Sequence, residues 1–162
     1  MKMNFKTLFL CRASVIAALY FLLTYISAIS GLASGVVQLR LSEALCILPM
    51  YTAAAVPGLI VGCLISNILF GMSVLDIIFG TLATAIGAVG SYLLRRYKFS
   101  VPLPPIAANT IIIPFVLFYS GMTEEGIPYM MLTVGIGELL SCGVLGIMLM
   151  YAVKPYSDKL FR

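Results

Sequence analysis

The chain is 162 residues long, 62% hydrophobic and 10% charged, with a formal net charge of +4. Ordinary soluble domains carry about 45–50% apolar and roughly 25% charged residues, so these few charges cannot cover a water-facing surface. Histidine is absent, which excludes Ser-His triads, HExxH metalloproteases and imidazole metal or proton-relay ligands; no G-x-x-x-x-G-K-[ST] loop marks a nucleotide motor either.

Six apolar segments follow in chain order. The first, from about Leu8 to Ile29, is long enough to cross about 30 Å of hydrocarbon. The second starts near Ser42 and passes Leu48, Pro49 and Tyr51. The third follows Pro57-Gly58 and ends near Phe70. The fourth runs from Val74 to about Leu94, the fifth from about Ile106 to Tyr119, and the sixth from about Ile127 to Val153. Segments two, three and five are short, about 15 residues or fewer, and read equally as tilted or re-entrant pieces. Pro49, Pro57, Gly58 and Pro114 make them irregular.

Charge parity favours six crossings. Lys2, Lys6, Arg12, Arg95, Arg96, Lys98, Lys154, Lys159 and Arg162 then share one side, nine of the ten basic residues. By the positive-inside bias that side is the cytoplasm and holds both termini. The outward loops then carry Gln38, Arg40, Glu43, Glu124 and Glu125. The competing reading of the first segment is a cleavable signal peptide ending near Ala28-Ile29-Ser30, against which Arg12 interrupts the apolar stretch. The expected fold is therefore an all-α integral membrane protein, a compact bundle of six transmembrane helices with cytoplasmic N- and C-termini. Residues 1–162 form a single domain in the plasma membrane.

Ionisable groups inside a membrane helix cost at least about 2.5–3.5 kcal/mol at its centre, so they mark function by default. Glu138 lies near mid-depth of the sixth segment, flanked by Gly135 and Gly137; it reads as a ligand-binding group or as a carboxyl bonded to a facing helix. In Val37-Gln38-Leu39-Arg40-Leu41-Ser42-Glu43, polar and apolar residues alternate, as in a short extended strand lining a cavity. The alternative is an Arg40–Glu43 ion pair fixing a helix start. Asn67 ends segment three and Asp76 begins segment four, where Ser73-x-x-Asp76 also fits a capping box. Asn109 in segment five serves binding or packing. Together Gln38, Arg40, Glu43, Asn67 and Asp76 suit a small polar ligand captured from outside, with Tyr20, Tyr25 or Tyr129 as a stacking surface. Cys11, Cys46, Cys63 and Cys142 lie far apart in apolar runs and read as small core residues. The carboxylates are not at metal-ligand spacing, and the charge balance is no nucleic-acid footprint.

Three blocks carry a family resemblance: Gln38-Leu39-Arg40-Leu41-Ser42-Glu43-Ala44-Leu45, then 57–67 from Pro57-Gly58 to Ser66-Asn67, then 75–84 from Leu75-Asp76 to Ala83-Thr84. In this order they resemble the QueT family, the substrate-binding S components of energy-coupling factor (ECF) transporters assigned to queuosine precursors. The resemblance implies a high-affinity component of an ABC-type importer with six helices and an outward substrate site. It implies docking on a transmembrane T component with two ATPases, which use the ATP, so that the chain itself carries no cofactor. It also implies a docking motif A-x-x-x-A in the first helix, which Ala13 to Ala17 fits. The substrates implied are 7-deazaguanines, preQ1 or queuine, whose base edge a carboxylate such as Glu43 or Glu138 accepts. A component for another vitamin-like solute, a stand-alone facilitator and a structural membrane subunit are the alternatives. An enzyme is disfavoured, because only six acids and no histidine are present.

Overall fold

The computed structural model describes residues 4–32, 37–121, 125–157 and 160. Lys2, Glu124, Lys159 and Arg162, used in the charge argument above, lie outside the described residues. Helix α1 spans Phe5–Ile29, and a 3-10 helix follows at Leu41–Met50. Then come α2 (Ala55–Leu69), a π-helical stretch Asp76–Gly80 running into α3 (Thr81–Leu93), and α4 (Leu103–Tyr119). The last rod is α5 (Ile127–Glu138), a π-helical stretch Leu139–Leu145 and α6 (Gly146–Val153). No strand occurs among the described residues.

Four of these rods are long and apolar enough to cross a membrane: Phe5–Ile29, Asp76–Leu93, Lys98–Tyr119 and Ile127–Tyr156. Leu41–Met50 and Ala55–Leu69 are shorter. The fifth sequence segment is thus longer than expected, because helix begins at Leu103, where Pro104 and Pro105 sit in a first turn that needs no backbone N–H partner. Large apolar side chains such as Val15, Leu132 and Met148 face outward, as lipid contact requires.

Helices α1 and α2 run parallel. A methyl group on Gly58 would meet the Ala13 carbonyl at 2.7 Å, and one on Gly62 would meet Tyr20 Cβ at 2.7 Å. Phe70 then stacks on Phe21 and Tyr25, with centroids 5.7 and 6.2 Å apart. Two consecutive parallel helices require the chain between them to return through the bundle, which the 3-10 helix does. It is buried from Ser42 to Pro49, walled by α1, α3, α6 and the second π-helical stretch. At roughly 2 Å rise per residue it covers about 20 Å.

Direction then alternates. Asn67 meets Asp76 across α2 and α3, the Ser91 hydroxyl donates to the Val101 carbonyl at 2.7 Å, and Gly135 faces Thr110. The start of α1, the Arg95–Lys98 turn and the end of α6 therefore share one end of the bundle. At the other end α1, α2 and α4 each stop at a left-handed glycine: Gly31, Gly71 and Gly121, with φ of 73°, 65° and 67°. Such residues satisfy the last helical carbonyls without a Cβ clash.

Candidate functional site

The chain from Gln38 to Ser42 crosses the bundle between α1 and the last rod, and its backbone is pinned on both sides. The Arg40 N–H donates to Ser141 Oγ at 3.1 Å, and the Leu41 N–H to Ser27 Oγ at 2.9 Å. Gly137 admits the crossing: a Cβ there would strike the Gln38 carbonyl. The extended stretch expected from polar–apolar alternation is present at Arg40 (φ −107°, ψ 101°) but joins no sheet, and 3-10 helix begins at Leu41.

Above this crossing lies a cavity of about 360 Å³, lined by Gln38, Arg40, Ser42, Asn67 and Asp76 with Tyr20 and Phe70. Four of the sequence-predicted residues thus share one hollow, at the end of the bundle away from the termini. Arg40 supplies its most conspicuous feature. Among the described residues its guanidinium hydrogen-bonds to none, although its charge is attracted by the nearby Glu43 and Glu138 carboxylates; the one hydrogen bond with Glu43 runs from the Glu43 N–H to the Arg40 carbonyl, at 3.0 Å. The ion pair of the alternative reading, Arg40–Glu43 at salt-bridge distance, is not formed among the described residues. Ser42 Oγ, 1% exposed, also lacks a partner. Buried polar atoms are nearly always hydrogen-bonded, so such orphans in a cavity wall mark a place for a ligand's polar atoms.

Asp76 fills both roles read for it. Its N–H donates to Ser73 Oγ at 3.1 Å and its Oδ2 accepts from that hydroxyl at 3.0 Å, the capping arrangement; its side chain also lines the cavity. Asn67 Nδ2 donates to the Asp76 carbonyl at 3.1 Å, which leaves the amide oxygen for the cavity.

Glu43, Glu138 and Asn109 are absent from the cavity wall. Glu43 is 1% exposed beneath it, and its Oε1 accepts from the Tyr20 hydroxyl at 2.7 Å. Glu138 opens onto a separate narrow crevice with Gln38, Arg40, Ile113 and Val134. Asn109 lies beside Glu138, with its Nδ2 unpartnered. Glu138 fails to reach the main cavity because the Gln38–Arg40 crossing, seated on Gly137, intervenes. Tyr20 is the aromatic in the wall; Tyr25 stacks on Phe70 from outside, and Tyr129 is exposed. Ala13 and Ala17 are buried, their backbone packed against Gly58 and Gly62 of α2.

Cys46, Cys63 and Cys142 are core residues as expected, Cys63 packing near Thr84, whereas Cys11 is exposed. Beyond that expectation, Cys46 and Cys142 converge with Glu43, their donor atoms all within 4.8 Å of one another. Sequence separation hid this meeting. The signal was local: Glu43 and Cys46 are three apart, and side chains at i and i+3 eclipse in a 3-10 helix. Glu138 and Cys142 are four apart, on one helix face.

Comparisons with known proteins bear on what fills the cavity. A family model described as QueT transporter matches residues 10–155. The queuosine precursor transporter QueT of Lactococcus lactis subsp. cremoris (strain MG1363) is 32% identical over 94 residues, 57% of this chain. That match spans 55% of the relative's length. No solved structure matches significantly.

Proposed function

The chain belongs to the QueT transporter family and is a multi-pass membrane protein; from that premise we propose that it captures queuosine precursors, 7-deazaguanines such as preQ1 or queuine, in the cavity under Phe70. The observation that carries the reading is that Arg40, the unpartnered Ser42 hydroxyl and Asp76 line one hollow. A 7-deazaguanine presents a carbonyl acceptor next to ring N–H and amine donors. Arg40 and Ser42 donate to the carbonyl, while Asp76 and the Asn67 oxygen accept from the donors, much as acidic side chains accept from base amines. Tyr20 and Phe70 flank the flat ring. A cavity of about 360 Å³ sits at the small end of the roughly 300–1,000 Å³ usual for small-molecule sites.

The chain in this reading is an S component. Lys6, Arg12, Arg95, Arg96, Lys98 and Lys154 gather at the end opposite the cavity, so the positive-inside bias turns the cavity outward and the termini to the cytoplasm. Release inward is driven by a T component and two ATPases, which supply the nucleotide chemistry. Because Ala13 and Ala17 face α2, docking uses the outer face of α1, where Cys11, Val15 and Leu19 are exposed.

Thermal-shift titration of the detergent-purified chain against preQ1, queuine, guanine, riboflavin and thiamine tests the substrate class. Saturable stabilisation by the 7-deazaguanines, about 2.7 kcal/mol at a hundredfold excess over Kd, is expected. Stabilisation by a B vitamin alone refutes it.

A further inference from the structure

Beneath the cavity, donor atoms of Glu43, Cys46 and Cys142 lie within 4.8 Å of one another, and Glu138 approaches Cys142 from the last rod. Cys46 Sγ lies 3.1 Å from Glu43 Oε2, and Cys142 Sγ lies 4.0 Å from the same oxygen and 3.3 Å from Glu138 Oε2. Glu43 and Cys46 stand together because a 3-10 helix eclipses every third side chain, and Glu138 and Cys142 because they are one turn apart on the last rod. All four are at most 5% exposed.

We propose that Cys46, Cys142, Glu43 and Glu138 form a binding site for a borderline-soft divalent cation of the Zn²⁺ class. A tetrahedral ion with bonds of about 2.0–2.3 Å needs donors roughly 3.3–3.8 Å apart, and the observed separations bracket that range. Two sulfurs with two oxygens select a borderline-soft ion over Mg²⁺ or Ca²⁺, which take oxygen alone. Glu43 is oriented for the task. The Tyr20 hydroxyl holds Oε1, turning Oε2 to both thiols; an outer partner of this kind fixes a metal-ligating carboxylate. The charge balance is also favourable. Binding releases one proton from each thiol, so exchange of two protons for a dication leaves the cluster's net charge unchanged and adds no burden to an apolar interior.

The test loads the purified full chain with Zn²⁺ or Cd²⁺, removes excess by gel filtration, and counts bound metal by elemental analysis. The wild type and Cys11→Ser should retain about one ion per chain, and the Cys46→Ser/Cys142→Ser double variant less than a tenth of that. Should the double variant fail to fold, the ultraviolet thiolate-to-Cd²⁺ absorption of the wild type decides, with two sulfurs per ion expected. No retained metal, equal retention in a folded double variant, loss in Cys11→Ser, or absence of thiolate absorption overturns the proposal. Deazaguanine binding is not read, so the outcome is independent of the substrate assignment.

Discussion

Arg40→Ala tests the binding role of the cavity's guanidinium. The Arg40 side chain donates to no described residue, so truncation breaks no internal bond, while its backbone N–H keeps Ser141 Oγ. Stability should fall nonetheless, because the buried Glu43 and Glu138 carboxylates lose the attraction of the guanidinium. The ligand, in addition, loses charge-assisted bonds worth about 1.5–3 kcal/mol. At 1.4 kcal/mol per decade that raises Kd about 10- to 150-fold. Arg40→Lys retains the charge but not the planar fork and should fall between. Calorimetric titration with preQ1 in detergent, beside a melting curve of each variant, reads both quantities. A Kd within threefold of wild type in a folded Arg40→Ala variant refutes the assignment of the guanidinium to the ligand.

Three further outcomes follow from the packing. Tyr20→Phe removes the hydroxyl that donates to Glu43 Oε1 at 2.7 Å and should cost about 1.5–3 kcal/mol in denaturant or thermal unfolding, since a buried acceptor is left without its partner. Gly62→Ala places a methyl 2.7 Å from Tyr20 Cβ and 3.0 Å from the Ala17 carbonyl; overpacking at about 1–3 kcal/mol should appear as a lower melting temperature. Gly137→Ala drives a methyl into the Gln38 carbonyl, so preQ1 affinity should fall together with stability, and an unchanged Kd would show that the Gln38–Arg40 crossing does not shape the cavity.

Much of the architecture was legible because the bilayer restricts what a sequence can do. Apolar lengths located the rods, and the basic residues Lys6, Arg12, Arg95, Arg96, Lys98 and Lys154 placed their ends in a parity that the parallel packing of α1 and α2 requires. Gln38, Arg40, Asn67 and Asp76 stood out because polar groups at those depths demand partners. Other features depend on phase and on local helix type, which composition does not encode. Whether Leu41–Met50 winds as α or 3-10 decides if Glu43 eclipses Cys46. Whether Glu138 reaches the cavity depends on the crossing that Gly137 admits. The spacing of Ala13 and Ala17 announced a close helix contact, and within the chain that contact is with α2. Cys46 and Cys142 looked like isolated core residues because only tertiary folding brings them to Glu43.

A structure of the chain with preQ1 bound, determined in a lipid environment, tests the central claim most directly. The account predicts the base between Tyr20 and Phe70, with Arg40 and Asp76 at hydrogen-bond distance, about 2.7–3.2 Å, from its edge. A base bound elsewhere, with no hydrogen bond from the Arg40 guanidinium, would contradict it.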